Sequence, residues 1–532
     1  MSVAPVPRIG ERPPTFKLSP KGKLWICAAV ALIVALIAGG AYVRTNWPYR
    51  YRKIHPLLED VLASHVKISE YHRTYFPNPG FVAIGLTLRR KTAPDLPPLG
   101  SAEKLVVQGR WSDLLLLRQR IELVDITNLH IVVPPIGSRA NQEDFPPGSA
   151  KDFGGPETAI EHLRVRNGAF DIMRKSGGRL SFPIRELDLR NFEHGKAMLY
   201  EVDMGNAKPS GRIQAKGSLG PIASNDLGQT PVAGDFTFTS VVLHDVGDIR
   251  GTLSSAGHFK GTLAAIEADA SSNTPDFAVD DGKPTAVAGS IECVVNGING
   301  NVAIHRIETK TGATVVHAAG AIAGSPKITN LDITVDRGRA EDVLRPFMRR
   351  EVPIVGPVRL RSHAYIGPSG DPFLQRIRVD GVFDVPTERI TDRKTEKNLT
   401  AFSERAQGMK SQSTDGKSAD SPDASSTDAL SSIKGPAKIR NGIVSSRHLV
   451  FQVAGAEADL SGTFAFHGQV VHLLGDLKME SDISHAATGF KSFLLKPLAP
   501  FFKKRNAGAV VPIAVTGSPG SYKVTQDISH KK

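Results

Sequence analysis

Cysteine is almost absent from this chain. Two occur among its 532 residues: Cys27 lies in an apolar run near the N-terminus, and Cys293 stands alone in the remainder. A disulfide within the body is therefore excluded, and with it the small secreted scaffolds that depend on such bonds. The count does not fix the redox compartment, because a large β protein with a sizeable core needs no disulfides.

Catalytic signatures are also missing. The sequence contains no G-x-S-x-G, H-E-x-x-H or P-loop motif, and no G-x-G-x-x-G follows a predicted strand. Its sixteen histidines are scattered. His467 and His472 share a predicted hairpin but lack cysteine or carboxylate partners at metal-ligand spacing, so surface positions are the ordinary interpretation. We predict a protein that is not an enzyme, with no catalytic residue, no metal site and no cofactor.

An excess of charge is missing from the body as well. The chain carries +13, but residues 1–53 alone hold nine Lys or Arg and one acidic residue, a net +8. The rest of the chain is therefore close to charge balance and has no basic stripe of the kind that binds nucleic acid. We exclude nucleic acid as a partner. The basic excess is typical of membrane flanks, which are attracted to anionic headgroups.

One long hydrophobic run is present, at 24–43, and it carries no charge over 20 residues. A helix of that length rises about 30 Å, the thickness of a hydrocarbon core. We predict a single transmembrane helix, with 1–23 as a cytoplasmic tail. The alternatives are a core helix, which is rarely apolar on all sides, and a cleaved signal peptide, whose apolar stretch is shorter. Flanking positive charges are equal on both sides and do not set the orientation.

Helical patterns are few in the rest of the chain. Within a juxtamembrane segment 44–66, a helix over 54–66 is predicted by four apolar residues at helical spacing: Leu57, Leu58, Val61 and Leu62. It either lies on the bilayer or caps the first sheet, and the cap is the simpler interpretation. Residues 339–349 allow a short helix interrupted by Pro346. A longer one is predicted over 483–504, bent by Pro497 and Pro500.

Between residues 67 and 394 the dominant pattern is alternation with a period of two, which predicts half-buried strands. Glycines recur among these stretches and among similar ones further on, and they indicate turns: Gly109, Gly168, Gly217, Gly251, Gly261, Gly320, Gly381, Gly462 and Gly475. We therefore predict a mostly β body built from a long antiparallel sheet. Few helices are available to cover its apolar face. Either a second layer buries that face in a packed core, the commoner solution, or the sheet curls into a groove around something apolar. Alternation alone does not separate the two.

Residues 395–432 differ in composition from the rest. The stretch 410–432 is rich in Ser, Asp, Ala and Lys, and Leu430 is its only large apolar residue. Such a segment cannot bury enough surface to offset the entropy of ordering it. We predict a disordered linker over 395–432 that separates the body from a C-terminal β domain over 433–532.

Several segments resemble the AsmA-like family of bacterial envelope proteins, which includes AsmA and TamB. Near the N-terminus, the hydrophobic anchor is followed by HPLLEDVL at 55–62 and by a proline-containing turn at 76–80. A strand that ends in two prolines follows at 129–135, and a strand followed by Asn-Gly at 160–168. Near the C-terminus the segments are GPAKIRNG, a Leu-x-Gly-x-Phe strand, the bent helix and VPIAVTG: 435–442, 454–464, 483–504 and 511–517. The resemblance covers about the first 190 residues and the last 100 residues of the chain.

The resemblance implies an inner-membrane protein, single-pass, with the bulk of the chain in the periplasm. It implies a sheet curled into an open apolar groove that binds or transfers phospholipid in outer-membrane biogenesis, with the inner membrane and outer-membrane assembly proteins as partners. Twelve apolar residues are the candidates for the groove lining: Leu163, Val165, Phe236, Phe238, Ile333, Val335, Val358, Leu360, Phe464, Phe466, Leu477 and Met479.

Two other hypotheses stay open beside lipid transfer. The first is a non-enzymatic assembly factor that regulates protein insertion into the outer membrane; unlike a lipid conduit, it should tolerate a charge inside the groove, as in Ile333→Glu. The second is an envelope hydrolase on a β-solenoid body, against which the absence of a recognisable catalytic cluster argues. The sequence does not identify the lipid, the direction of transport or the distal partner.

Overall fold

The structure is a computed structural model. It describes residues 47–390, 431–479 and 510–526, except for 62–63, 91–96, 117, 119, 136–137, 139–158, 175–176, 194, 224, 325 and 369. Strands dominate these residues and are hydrogen-bonded into one long mixed sheet. The prediction of a mostly β body with few helices is confirmed.

The strands are short to medium in length and follow one another through the sheet close to chain order. Their bounds are β1 His65–Lys67, β2 Glu70–Thr74, β3 Gly80–Arg89, β4 Gly100–Gln108, β5 Arg120–Thr127, β6 His130–Val133, β7 Ala159–Met173, β8 Arg179–Glu193, β9 Met198–Ala207, β10 Ser210–Leu219, β11 Pro231–Val242, β12 Ile249–Arg250, β13 Thr252–Thr262, β14 Ala265–Val279, β15 Thr285–Val295, β16 Val302–Thr311, β17 Thr314–Ala323, β18 Ile328–Arg339, β19 Ile354–Val355, β20 Pro357–Ile366, β21 Ile377–Ile390, β22 Ser431–Arg440, β23 Ile443–Val453, β24 Ala456–Ala465, β25 Val470–Met479, β26 Val510–Gly517 and β27 Lys523–Gln526.

Most neighbouring strands are antiparallel, as predicted, but the first part of the sheet is not. Both β5 and β6 pair with β7 in parallel, so the expectation of an antiparallel sheet is wrong there. Parallel neighbours need a long connection, and the chain supplies one between the end of β6 and the start of β7. From β7 to β27 the long strands pair antiparallel in succession, while β12 and β19 add short pairings to β14 and β21.

Seven of the nine glycines interpreted as turns lie inside strands, and this part of the prediction is wrong, whereas Gly109 and Gly251 lie between strands. Gly217, Gly381 and Gly475 are paired within β10, β21 and β25. Gly320 in β17 has a φ of 155°, and a Cβ there would lie 2.0 Å from the carbonyl oxygen of Asn330 on β18. Glycine inside a strand commonly marks a bend or a close backbone approach. A sequence cannot distinguish that use from a turn.

The helices of the described residues are short. Helix α1, Tyr51–Val61, packs Ile54 and Leu58 against the first strands, as a cap on the sheet would. It begins and ends earlier than predicted, and Val66 lies in β1 instead. Helix α2 is Trp111–Leu115.

Two further helices connect strands. The predicted helix near 339–349 is present as α3, Ala340–Leu344, followed by a 3-10 turn at Arg345–Phe347 that contains Pro346. Helix α4 is Phe373–Arg376, between β20 and β21.

Several predicted segments lie outside the described residues: the tail 1–23, the apolar run 24–43, residues 395–430 and the bent helix 483–504. Among the helices that the structure describes, none is long and apolar enough to span a membrane. The predicted linker is two residues too long, because Ser431 and Ser432 begin β22. Strand β22 pairs with β21, so the sheet continues across this segment into the C-terminal part of the chain.

Buried apolar side chains of the described residues form three clusters. The first lies among β1, β3, β4 and β5 and includes Phe81 and Leu105. The second joins Val335 and Val385 to residues of β20 and α3. The third lies among β23 to β26. No buried member of these clusters comes from β8 to β17, although single apolar side chains of the middle strands, such as Val241, Val279 and Ile304, are buried outside them.

Candidate functional site

One row of opposite residues on the middle sheet is apolar from β11 to β18, whereas the next row on the same face includes Ser255, Ser272 and Thr309. Directly opposite residues of antiparallel strands share a face, so the register traces a row across β11, β13, β14, β15, β16, β17 and β18. Its members are Phe236, Gly257, Ala270, Ile291, Ile307, Ala318 and Ile333. All seven are partly buried. We call this side of the sheet the inner face.

The opposite side, called the outer face, is charged at the equivalent positions. The row one residue away in β11, β13, β14, β15 and β16 consists of Asp235, His258, Asp269, Glu292 and Arg306. All five are exposed. The two rows differ by one residue in register, so the alternation in the sequence becomes a separation of apolar from charged side chains.

Ion pairs on the outer face remain in contact with solvent, and the pair of Arg212 and Asp203 is partly buried. In β10 and β9, the Arg212 guanidinium lies 2.5 Å from the Asp203 carboxylate. The hydrogen bond from Arg212 lowers the pKa of Asp203 below its usual range. Pairs of this kind contribute little to stability. We therefore assign the outer face to solvent.

Small and large residues occupy neighbouring places on the inner face. Phe236 stands opposite Gly257, and Ile333 stands opposite Ala318. The Phe236 and Phe259 rings are 6.3 Å apart between centroids. Phe236 and Ile333 thus stand beside positions with little or no side chain, but at Gly257 the neighbouring strand lies close, since an added Cβ would be 2.7 Å from the Cβ of Ala270.

A long connection between the neighbouring strands β18 and β20 contacts two turns of the sheet. Residues 340–356 join β18 to β20 and are called the strap. The backbone nitrogen of Lys283, in the turn between β14 and β15, donates to the carbonyl oxygens of Arg345 at 3.3 Å and Met348 at 3.1 Å. Met348 is completely buried. The strap is thus fixed to strands that precede it in the sheet.

The strap also reaches strands that follow it. The Phe347 ring stacks on Phe466, with centroids 5.8 Å apart. Gln469, in the turn between β24 and β25, donates from Nε2 to the Glu351 carbonyl oxygen at 3.3 Å. The strap therefore joins the β14–β15 turn to the β24–β25 turn, two places that are far apart in strand order.

Four of the predicted lining residues lie on the inner face of the middle sheet or beside the strap. Phe236, Phe238 and Ile333 are partly buried on β11 and β18. Leu360 on β20 stands opposite Val335 and packs against the cluster beneath the strap. The structure brings Ile333 and Leu360 onto neighbouring strands and places Phe236 and Phe238 further along the same face.

Four other predicted lining residues are packed inside the protein and offer no open surface. Val335 and Val358 lie in the cluster with α3, because the strap covers them. Leu477 lies in the C-terminal cluster. Val165 on β7 is 2% exposed. These four positions have the same period-two pattern as the open ones, but neighbouring segments bury them.

The last four predicted residues have different surroundings. Leu163 packs against the first cluster. Phe464 is partly buried on β24 opposite Val471. Phe466 lies beyond the end of β24 and contacts the strap. Met479 ends β25, and its side chain lies outside the described residues.

A buried carboxyl on the inner face was not predicted. Glu388 in β21 stands opposite Ser431 in β22 and is 4% exposed. Ser431 Oγ donates to its Oε1 at 3.4 Å. Burial raises the pKa of Glu388 from 4.5 to about 7. Alternation gave no sign of this position, because the register shifts between Val385 and Glu388.

Charged side chains also gather on the outer face, where they line an open cavity of about 530 Å³: Arg164, Glu186, Asp188, Arg190, Asp203 and Lys216. Within the described ranges, no three His, Cys, Asp or Glu side chains are grouped as metal ligands would be. The candidate functional site is therefore the apolar inner face with the strap at its edge. Comparison with known proteins found no family model that matches the chain and no matching curated protein.

Proposed function

We propose that the chain is a membrane-anchored protein that binds phospholipid acyl chains along its inner face and transfers them in outer-membrane biogenesis, without enzymatic chemistry. One observation carries the proposal. The inner row from Phe236 to Ile333 is apolar and only partly buried, although Val279 and Ile304 on the strands between them are buried. A row of apolar side chains that stays partly exposed fits a sheet curled around an apolar groove.

Acyl chains suit such a face because they need no specific polar partner. Their transfer from water is favourable by about 25 cal/mol per Å² of apolar area buried. The contacts of the strap with Lys283 and Gln469 support a curled sheet, since they link two turns that are far apart in strand order.

The cellular setting belongs to the same proposal. The uncharged run 24–43 would be the inner-membrane anchor, and the sheet would lie in the periplasm. The segments that resemble the AsmA-like family support this placement and the role in outer-membrane biogenesis. The inner membrane and phospholipid would be the immediate partners, with outer-membrane assembly proteins as further ones.

Site-specific photo-cross-linking in cells would test lipid contact. A photoreactive benzoylphenylalanine in place of Phe238 or Ile333 should capture phospholipid, because both side chains lie on the inner face. The same residue in place of Asp332, the exposed neighbour of Ile333, is the matched control and should capture little. Equal capture at Ile333 and Asp332, or none at either inner position, would contradict the proposal.

A charge on the inner face would separate lipid transfer from assembly by protein contacts. Ile333→Glu should abolish lipid capture at Phe238 and fail to support function, because a carboxylate among acyl chains is strongly disfavoured. Val382→Glu is the matched control, since Val382 is 56% exposed on the outer face of β21. If Ile333→Glu folds, as judged by its unfolding temperature, and still supports function, the assembly-factor hypothesis is favoured.

A further inference from the structure

Three strongly exposed apolar side chains lie together where the chain enters the body. Phe76 is 84% exposed, Leu115 75% and Leu116 61%. We call these three residues the entry patch. Among the large apolar side chains that the structure describes, only Ile298 is as exposed as any of them, at 61%. Such a concentration of exposed apolar surface is uncommon away from interaction sites.

A rigid aromatic base holds the entry patch in place. The Phe76 ring lies 5.7 Å from the ring of Trp111, the first residue of α2, which also carries Leu115. Trp111 Nε1 donates to the Tyr75 carbonyl oxygen at 3.1 Å. Trp47 is completely buried against Tyr75 and Trp111, at 4.7 Å and 5.6 Å between ring centroids. The exposed side chains thus project from a packed support.

A short stretch of chain joins the apolar run to the entry patch. Trp47 follows Val43, the last residue of the run, by four positions. Four residues of extended chain span at most about 14 Å, at about 3.6 Å per residue. Since Trp47 contacts Trp111, a membrane that holds the run 24–43 would lie beside Phe76 and Leu115.

Charge around the entry patch suits a membrane surface. Arg118 is exposed two residues after Leu116, and Arg73 is exposed three residues before Phe76. Arg52 and Lys53 are exposed at the start of α1. Apolar side chains flanked by basic ones are typical of segments that insert into the headgroup region of anionic bilayers.

We infer that the entry patch inserts into the surface of the bilayer that holds the apolar run, and so fixes the orientation of the body on the membrane. A lipid surface accounts for the apolar side chains, the basic flanks and the short connection together. The inference goes beyond lipid transfer, because a membrane-docked assembly factor would use the same contact. It also places the first strands at headgroup level, where lipid could enter the sheet.

Photo-cross-linking of the full-length protein in vesicles of phosphatidylethanolamine and phosphatidylglycerol would test the inference. Benzoylphenylalanine in place of Leu115 should give about tenfold more lipid adduct than the same residue in place of Ile298, because only the first lies in the interface. Ile298 is the matched control, being exposed and apolar in the turn after β15. Equal yields at the two positions, or adducts with protein in place of lipid in cell membranes, would overturn the inference.

A charge substitution adds a second arm. Leu116→Glu should reduce the lipid adduct formed at position 115 several-fold, and Ile298→Glu should leave it unchanged. Both side chains are exposed, so neither change should lower the unfolding temperature. Lipid capture at Phe238 is read separately: its loss with capture at 115 intact would contradict the lipid groove and leave membrane docking standing.

Discussion

The buried carboxyl of Glu388 makes the free energy of unfolding depend on pH, and this dependence reports how far the inner face is shielded from water. This carboxyl is almost completely buried. Oε1 accepts the hydrogen bond from Ser431, and Oε2 has no hydrogen-bond partner among the residues that the structure describes. Because ionisation would leave a charge away from water, burial raises the pKa of this carboxyl to about 7. The folded protein therefore holds a proton that the unfolded chain releases from about pH 4.5.

The sign of the effect on stability follows from proton binding. Between pH 4.5 and about 7 the folded state binds more protons at Glu388 than the unfolded state does, so the free energy of unfolding falls as the pH rises. Above pH 7 the full cost of the buried charge is present. A shift from 4.5 to about 7 corresponds to about 3 kcal/mol. Below pH 4.5 the carboxyl is neutral in both states and the difference disappears.

Replacing Glu388 with glutamine removes the ionisation while keeping the shape of the side chain. Relative to the parent protein, Glu388→Gln should be more stable at pH 8 by up to about 3 kcal/mol and little changed at pH 4.5. Thermal unfolding between pH 4.5 and pH 8 measures the difference as a shift of the midpoint that grows with pH. A variant that is less stable than the parent protein at pH 8 would refute this account of the site.

Asp380 provides a control of opposite sign on the same strand. The hydrogen bond from Arg440, at 2.5 Å, is the main cause that lowers the pKa of Asp380. Its ionised form therefore favours folding at neutral pH and loses that effect as the pH falls through the lowered pKa. Asp380→Asn should weaken the protein at pH 8, the reverse of Glu388→Gln. If both variants shifted in the same direction, the change would reflect general loss of carboxylate charge.

Two further predictions concern the shape of the sheet. Gly320→Ala should destabilise the protein by about 1–3 kcal/mol more than the control Gly370→Ala. Both glycines have a φ near 155°, but only at Gly320 would the new Cβ meet a carbonyl oxygen, that of Asn330, at 2.0 Å. Equal unfolding temperatures of the two variants would contradict the close approach. Phe466→Ala should remove about 0.5–1.5 kcal/mol of ring contact with Phe347 and speed up hydrogen exchange in the strap, 340–356. Unchanged exchange there would show that the ring contact does not hold the strap.

The class of the fold was predictable because strand alternation is a local property. Residues such as Phe236 and Ile333 reach the same face through pairing of successive neighbours, and each pairing keeps the period of two. The parallel pairing of β5 with β7 was not predictable, since it depends on where a long connection returns the chain. Gly320 was misinterpreted as a turn for a similar reason: the oxygen that excludes a side chain belongs to another strand.

Local irregularities limited the prediction of the site. Pro386 and Thr387 form a break in register between Val385 and Glu388, and this break places a carboxylate on a face that alternation assigns to apolar residues. Period-two reasoning would put Glu388 on the outer face. The strap also makes the burial of residues differ from what alternation predicts. Its residues bury Val335 and Val358 through contacts between parts of the chain that are distant in sequence.

Alternation cannot distinguish a packed core from an open apolar face, and the burial of individual residues supplies the distinction. A second layer would bury the inner row as completely as the strap buries Val335, which is 1% exposed. Ile333 is two residues earlier on the same strand and face but is only partly buried. Within one strand, the inner face thus changes from a packed cluster at Val335 to a partly exposed surface at Ile333. An apolar side chain withdrawn from water but short of neighbours gains further free energy from any apolar ligand that fills the space, and this gain is the physical basis for proposing that acyl chains bind there.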